Sequence, residues 1–545
     1  MKRMQGLVYV IMIVLIILVL VNGCATGTPP QGATTEENPG NQVEQSESQT
    51  IRQEEESQIA EVEIEGEVDE DATLVVFAYT QIHPYEIFGS PSTAPVPSQI
   101  FETLVYQDES MELQPMLATA WEPVDDYTVQ FTLREGVVFH DGSEFNADDV
   151  MASFNWIIEN DGWQQVQGIL DSEKLVKTGE YSVQVGFHQP YLPSLSYLAH
   201  YKYSILSEEM IAATEGLGTG SFDEVTPIGT GAYKFIDMEL LDNNNGKVML
   251  ERFDDYWGEP AKTKNIIFEM SNYGDELDRR KERVEKGDLH LVYDATRYSS
   301  DFLTDGKFDL LYETSIYSKI YALNTTKPPL DNQKIRQAIN YCMEEPFGTS
   351  FIKAGGAVSP NVLYADKNIK GYEYDLEKAK QLLKDAGADG LTLNYGFNVD
   401  IHSPQYADEL KYRLAEIGIE LHIQEIKDNV MPIEEVDIFL LPAQSNGDPD
   451  STLYPAFYGQ EFEGRLYPPF YNNQRVDELL DQGRHEEDPS KREKIYLEIQ
   501  SILLEEAPAI FAYCGYDSVA VGEKVAGFTM HPNSRYRLKD VVIYK

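Results

Sequence analysis

Residues 114–156 read QPMLATAWEPVDDYTVQFTLREGVVFHDGSEFNADDVMASFNW, and this stretch decides how the rest of the chain is placed. Tyr127, Val129, Phe131 and Leu133 alternate with Thr128, Gln130 and Thr132, the period of a half-buried strand. Asp141-Gly142 turns the chain, and a helix then opens. Asn146 is placed to cap it, and Asp149 three residues on completes a capping-box start before Val150, Phe154 and Ile157. None of these residues is a chemically reactive constellation. The block is a folding unit.

As an ordered set, these features resemble the signature of the extracellular solute-binding proteins, family 5, which serve peptide, nickel and related ABC importers. The matching residues are Pro115-x-Leu117-Ala118-x-x-Trp121, Tyr127-Thr128-x-x-Phe131-x-Leu133-Arg134, Phe139-His140-Asp141-Gly142 and Asp148-Asp149-Val150. The resemblance extends from about Thr73 to Lys545. It implies an α/β chain of the periplasmic-binding-protein-like class II: two lobes joined by a two-stranded hinge, with an additional subdomain in lobe I. It also implies a substrate-binding component without catalytic activity, working as a monomer with ABC permease and ATPase subunits.

Composition agrees with a large globular body. A chain of 545 residues exceeds one core. Hydrophobic residues make up 42% and aromatic residues 11%, with 34 Tyr, which describes a packed rather than a disordered chain. The net charge of −49 repels nucleic acid and anionic surfaces, so no nucleic-acid partner is expected.

The N-terminus carries Lys2 and Arg3, the apolar run Leu7–Val21, and Asn22-Gly23-Cys24. That run is short for a bilayer span and fits a signal-peptide core. Gly23 before Cys24 looks like a bacterial lipoprotein signal, making residues 1–23 the leader and Cys24 the lipidated position. The expected location is extracytoplasmic, lipid-anchored to the cell membrane. Residues 24–71 are rich in Gln, Glu, Ser, Thr, Pro and Gly and read as a disordered acidic tether.

Leu74–Tyr79 reads as a strand with two apolar faces, followed by His83-Pro84. By resemblance it leads to a loop facing the ligand cleft, which makes Tyr79, Gln81 and His83 pocket candidates; core and turn roles fit Tyr79 and His83 equally. Trp163 can stack on a ligand or sit half-buried. The run Tyr191–Tyr203 reads as a subdomain with exposed or cleft aromatics. Pro227-Ile-Gly-Thr-Gly-Ala-Tyr233 matches the family's Pro-x-Gly-Thr-Gly-x-Tyr, with Gly229 and Gly231 as close-approach glycines. A phosphate loop is excluded, since no Lys-Ser/Thr follows. Asn324–Asp331 resembles the crossing between lobes, and Met343-Glu344-Glu345-Pro346 stands where the family has an Asp-Arg pair. The expected divisions are lobe I at 72–320, lobe II at 321–507 and a return to lobe I at 508–545.

In lobe II, Asp375 reads as the cap of a helix ending at Gly387, followed by a strand from Leu391, a helix through Tyr406–Ile417 and a strand from Ile419. Such a βαβ unit implies parallel pairing. Val436–Leu441 is a buried strand, and beyond it comes Pro442-Ala-Gln-Ser-Asn-Gly-Asp-Pro-Asp450. Ligands of open α/β sheets sit beyond the carboxyl ends of strands. In the resembled peptide-binding members, an Asp four residues before the loop's Pro pairs with the peptide's α-ammonium. Counting back from Pro449 places Ser445 there, with Asn446, Gly447 and Asp448 otherwise matching. Either Asp448 or Asp450 takes the ammonium, or the ligand lacks one; Asn-Gly is also a turn dipeptide in any setting. Tyr513, near a second crossing, reads as cleft or core.

No Gly-x-Ser-x-Gly, His-Glu-x-x-His or zinc-spaced Cys pair is present, so no enzyme, metal site or cofactor is expected. A peptide is the expected solute. An oligosaccharide or nickel chelate, and a ligand-sensing lipoprotein signalling to a membrane partner, are the alternatives.

Overall fold

The computed structural model describes residues 66–545 apart from 79–94, 161–168, 214–224, 241–245, 271–282, 284–285, 295–306, 345–350, 399–403, 427–434, 444, 461 and 463–468. Seventeen strands position the site. In chain order they are β1 Thr73–Ala78, β2 Val105–Gln107, β3 Leu113–Pro115, β4 Ala118–Asp125, β5 Thr128–Leu133, β6 Leu170–Gly179, β7 Ser182–Phe187, β8 Tyr233–Leu240, β9 Gly246–Arg252, β10 Asn265–Met270, β11 Leu291–Tyr293, β12 Phe308–Leu323, β13 Phe351–Lys353, β14 Thr392–Asn398, β15 Glu420–Ile426, β16 Ile438–Ala443 and β17 Ala509–Gly522.

One sheet of 11 strands runs β15-β14-β16-β12-β17-β11-β1-β10-β9-β8, with β13 attached to β17. Two long antiparallel strands, β12 and β17, join its halves. Phe308–Thr314 pairs with Tyr516–Gly522, Ser318–Ala322 pairs with Ala509–Cys514, and the register shifts between Thr314 and Ser318. That irregularity divides the ladder into a lobe I part and a lobe II part, giving the expected two-stranded hinge. Its freed carbonyls are not abandoned: Asn361 Nδ2 donates to Thr314 O at 2.7 Å and Ser359 Oγ to Ser315 O.

The lobe I half takes β1 in parallel with both β10 and β11. In the lobe II half, β14 runs parallel to β15 and β16, and the helix Pro404–Glu416 links β14 to β15 as the βαβ reading requires. Asp375 caps its helix through Lys378 N–H at 2.9 Å, and Asn332 caps Gln333–Tyr341.

The opening stretch builds the subdomain of lobe I, an antiparallel sheet β4-β5-β7-β6 under the helix Ala147–Asn160. Val129, Phe131 and Leu133 meet Val183, Val185, Val150 and Phe154 in one core. The capping box forms as read: Asn146 Oδ1 accepts Asp148 N–H at 2.7 Å, and Asp149 Oδ2 accepts Asn146 N–H at 2.9 Å. Tyr127 lies just before β5 and is exposed, with the Lys174 ammonium 5.2 Å from its ring.

The Gly229–Gly231 segment packs against lobe I's 97–101 region so tightly that a Cβ at Gly229 would lie 2.1 Å from Ile100 O. Between the two glycines, Thr230 donates to the buried Glu102 carboxylate, which also accepts from Tyr256 and Trp257. Burial raises the Glu102 carboxyl above its usual range, while nearby Arg537 and these donors pull it down. This glycine motif is a packing device.

The run Tyr191–Tyr203, expected to carry exposed or cleft aromatics, is buried at Tyr191, Tyr201 and Tyr203, with Tyr203 only 1% accessible. Glu344, in the stretch that departs from the family's Asp-Arg pair, is paired with Arg413. Cys342 and Cys514 are both free and buried.

Candidate ligand site between the lobes

The loop after β16 begins at the carboxyl end of that strand and leads into the helix Asp450–Phe457. It is held by its own polar groups. Ser445 Oγ accepts Gly447 N–H at 3.0 Å, Asn446 Oδ1 accepts Asp448 N–H at 3.0 Å, and Ser451 Oγ donates to Asp448 O at 2.6 Å. These are Asx- and Ser-type turns, and Gly447 at φ +89° supplies the left-handed turn that the Asn-Gly pair signals.

Two arginines neutralise the loop's two carboxylates. Arg492, from the helix Pro489–Glu506, grips Asp448 with both arms, at 2.7 and 3.1 Å. Arg484 lies 3.3 Å from Asp450 and stacks 3.8 Å over the Tyr454 ring. All four charged side chains are buried. Burial pushes the Asp450 carboxyl up to about 6, with Arg484 pulling it back. For Arg492, burial acts downward but Asp448 beside it holds the guanidinium above its usual range. The cluster is a closed charge balance.

The loop also faces lobe I. Gln107, at the end of β2, donates its side-chain amide to Asn446 O at 2.7 Å. A Cβ at Gly447 would meet Met111 Cε at 2.2 Å, so the β2–β3 hairpin sits directly on the loop. Two more bonds cross between lobes: Arg484 to Gln189 Oε1, and Tyr191 hydroxyl to Glu487 Oε1 at 2.9 Å. Tyr197 lies among these groups; burial, then the Asp450 charge, raises its hydroxyl pKa. Lobes meeting through direct side-chain contacts on one side of a β12–β17 hinge form the geometry of a jaw.

The sequence of this jaw matches a known pattern: residues 112–464 fit the middle region of the bacterial extracellular solute-binding proteins, family 5. The chain belongs to that family. It is 25% identical over 499 residues to the dipeptide-binding protein of Escherichia coli K12, covering 83% of this chain and 90% of that protein. It is 26% identical over 496 residues to the E. coli K12 glutathione-binding protein GsiB, covering 85% and 92%. Its fold superimposes with a TM-score of 0.66, at 24% identity, on the ABC transporter-associated periplasmic binding protein DppA from Helicobacter pylori in complex with peptide STSA; the match covers 87% of this chain and 98% of that one. The periplasmic-binding-protein-like class II fold is therefore the fold of this family member.

Of the residues expected at the ligand, Ser445, Asn446, Gly447 and Asp448 are brought together at the lobe interface. Asp448 and Asp450 are each committed to an arginine. Tyr513 lies within the lobe II core, 5% accessible and against Phe351; burial, then the Glu409 charge, raises its hydroxyl pKa. Tyr79, Gln81, His83 and Trp163 lie outside the described residues, as does Cys24. Sequence reasoning missed Gln107, Met111, Gln189, Arg484 and Glu487 as interface groups, while Tyr191 belongs to the run it marked for exposed or cleft aromatics. They meet partners some 300 residues away, and no local period marks such a contact.

Proposed function

We propose that this protein is the substrate-binding component of an ABC importer, capturing a peptide or peptide-like solute between its lobes and delivering it to a membrane permease. The observation that carries this reading is the polar loop Ser445–Asp450, seated at a strand's carboxyl end and contacted by Gln107 and Met111 of the opposite lobe across the β12–β17 hinge. The relatives named above for dipeptide and glutathione support a peptide-class solute.

In this reading lobe I comprises residues 72–320, lobe II residues 321–507, and residues 508–545 carry the chain back along β17 to lobe I. Ser445, Asn446, Gly447 and Asp448 contribute from lobe II; Tyr79, Gln81, His83 and Trp163 contribute from lobe I, with Tyr513 behind the hinge. Residues 1–23 are removed as a lipoprotein signal peptide, Cys24 carries the lipid, and residues 24–71 tether a monomeric body to the outer side of the cell membrane.

A thermal-shift screen tests the solute class, because a ligand that binds only the folded state raises its stability by mass action. Peptides of two to six residues should raise Tm in a saturable way, and sugars and nickel chelates should not. A shift confined to a sugar or chelate would overturn the peptide assignment.

A further inference from the structure

Among the described residues of the interlobe loop, the side-chain nitrogen of Asn446 is left unused by the loop's own network. Asn446 is 8% accessible, and its Nδ2 has no hydrogen-bond partner among the described residues. The orientation of this amide is fixed, since the oxygen accepts the Asp448 N–H and the nitrogen must therefore be the idle end. A buried N–H donor left idle is uncommon in native structures and calls for an acceptor.

The loop's charges point the same way. Two carboxylates, Asp448 and Asp450, face two guanidiniums, Arg492 and Arg484, so the sum of −2 and +2 leaves no net charge for a cation. Both oxygens of Asp448 are occupied by one guanidinium. Ser445 is itself uncharged, and its Oγ already accepts a backbone N–H. Among the described residues of this loop, a ligand ammonium would find no free counter-charge to offset its desolvation, whereas a carbonyl oxygen would satisfy the idle Asn446 amide.

Taking the peptide reading of this same site as its basis, we propose that the loop recognises a neutral, carbonyl-bearing end of the solute, so that the preferred cargo is an N-acylated peptide rather than one with a free α-ammonium. Asn446 is the specificity-determining residue, donating from Nδ2 to the acyl oxygen, and Ser445 keeps the position free of charge.

The test uses the full chain and two tripeptide libraries of identical sequences, one with free amino termini and one N-acetylated, mixed in equal amounts. Peptides retained by the protein are read by mass. The expected result is enrichment of the acetylated members by about tenfold or more, the effect of one buried hydrogen bond made against one ammonium left unpaired. Asn446→Asp keeps the acceptor for Asp448 N–H but replaces the donor with a charge, and should reverse the preference. Ser445→Asp, which leaves Asn446 in place, should also shift it toward free amines. Equal or better retention of free-amine peptides by the wild-type protein would overturn the inference while leaving the peptide reading standing. Retention of neither library, with no rise in Tm, would overturn the peptide reading and this inference with it.

Discussion

Asp448 and Arg492 sit 1% and 5% accessible, their charges sealed against each other. Removing one partner leaves the other buried and unpaired, which costs about 3–5 kcal/mol. Arg492→Met should therefore lower the denaturation midpoint sharply. Arg492→Met combined with Asp448→Asn should cost less than the two single changes added together; strict additivity in that double-mutant cycle would show the pair is not coupled. Asp517 offers a pH test. Burial pushes its carboxyl up to about 6, with the Ser534 hydroxyl pulling down and Asp294 and Glu313 adding to the rise. A raised folded-state pKa means the folded chain holds a proton that the unfolded chain has released. The stabilising effect is thus present below the unfolded pKa and lost as pH rises through about 6. Asp517→Asn should gain roughly 1–2 kcal/mol over wild type near pH 7.5 and nothing near pH 4, measured by urea titration at both values. At this scale the sequence pointed to the loop residues Ser445–Asp448 but not to the arginines that pair with its carboxylates, because a carboxylate's partner is a tertiary fact. Arg484 and Arg492 look like ordinary charges in an acidic, helical stretch until the fold buries them.

Elements were the most legible level, where the governing forces are local. The β5 alternation, the capping box at Asn146, the Asp375 cap and the β14-helix-β15 unit all follow from periods and caps that a few neighbouring residues determine. The long strand β12 was not legible. Its neighbours change from lobe I to lobe II along its length and its register slips at Thr314–Ser318, so its buried positions never keep a single alternation. The burial of Tyr201 and Tyr203 was not legible for a similar reason: segments far away in sequence cover them. The glycine motif supplies an element-scale prediction. At Gly229 an added Cβ would meet backbone Ile100 O, which cannot rotate away as a side chain could. Gly229→Ala should destabilise lobe I by about 1–3 kcal/mol or more, seen as a fall in Tm, and an unchanged Tm would contradict the packing described for this motif.

For the whole molecule, one continuous sheet runs through β12 and β17, and the proposed function has its two lobes close on a solute at the Ser445–Asp450 loop. Under the proposed function, the Tyr191–Glu487 and Gln107–Asn446 bonds are contacts that hold the lobes closed. Losing one such bond costs about 0.5–1.5 kcal/mol, so Tyr191→Phe should weaken solute binding by roughly two- to tenfold by reducing the closed population, with little change in lobe stability. Isothermal titration would show this, and an unaltered affinity would place Tyr191 outside the closing surface. The two-lobe plan was readable in advance only through the family likeness; length and composition indicate more than one core, but not which segments cross between them. The most direct measurement is amide hydrogen exchange with and without a saturating peptide that raises Tm. Protection should rise together in residues 105–113 of lobe I and 445–451 of lobe II, on opposite sides of the hinge. Tight binding that leaves both segments exchanging as before would contradict the account.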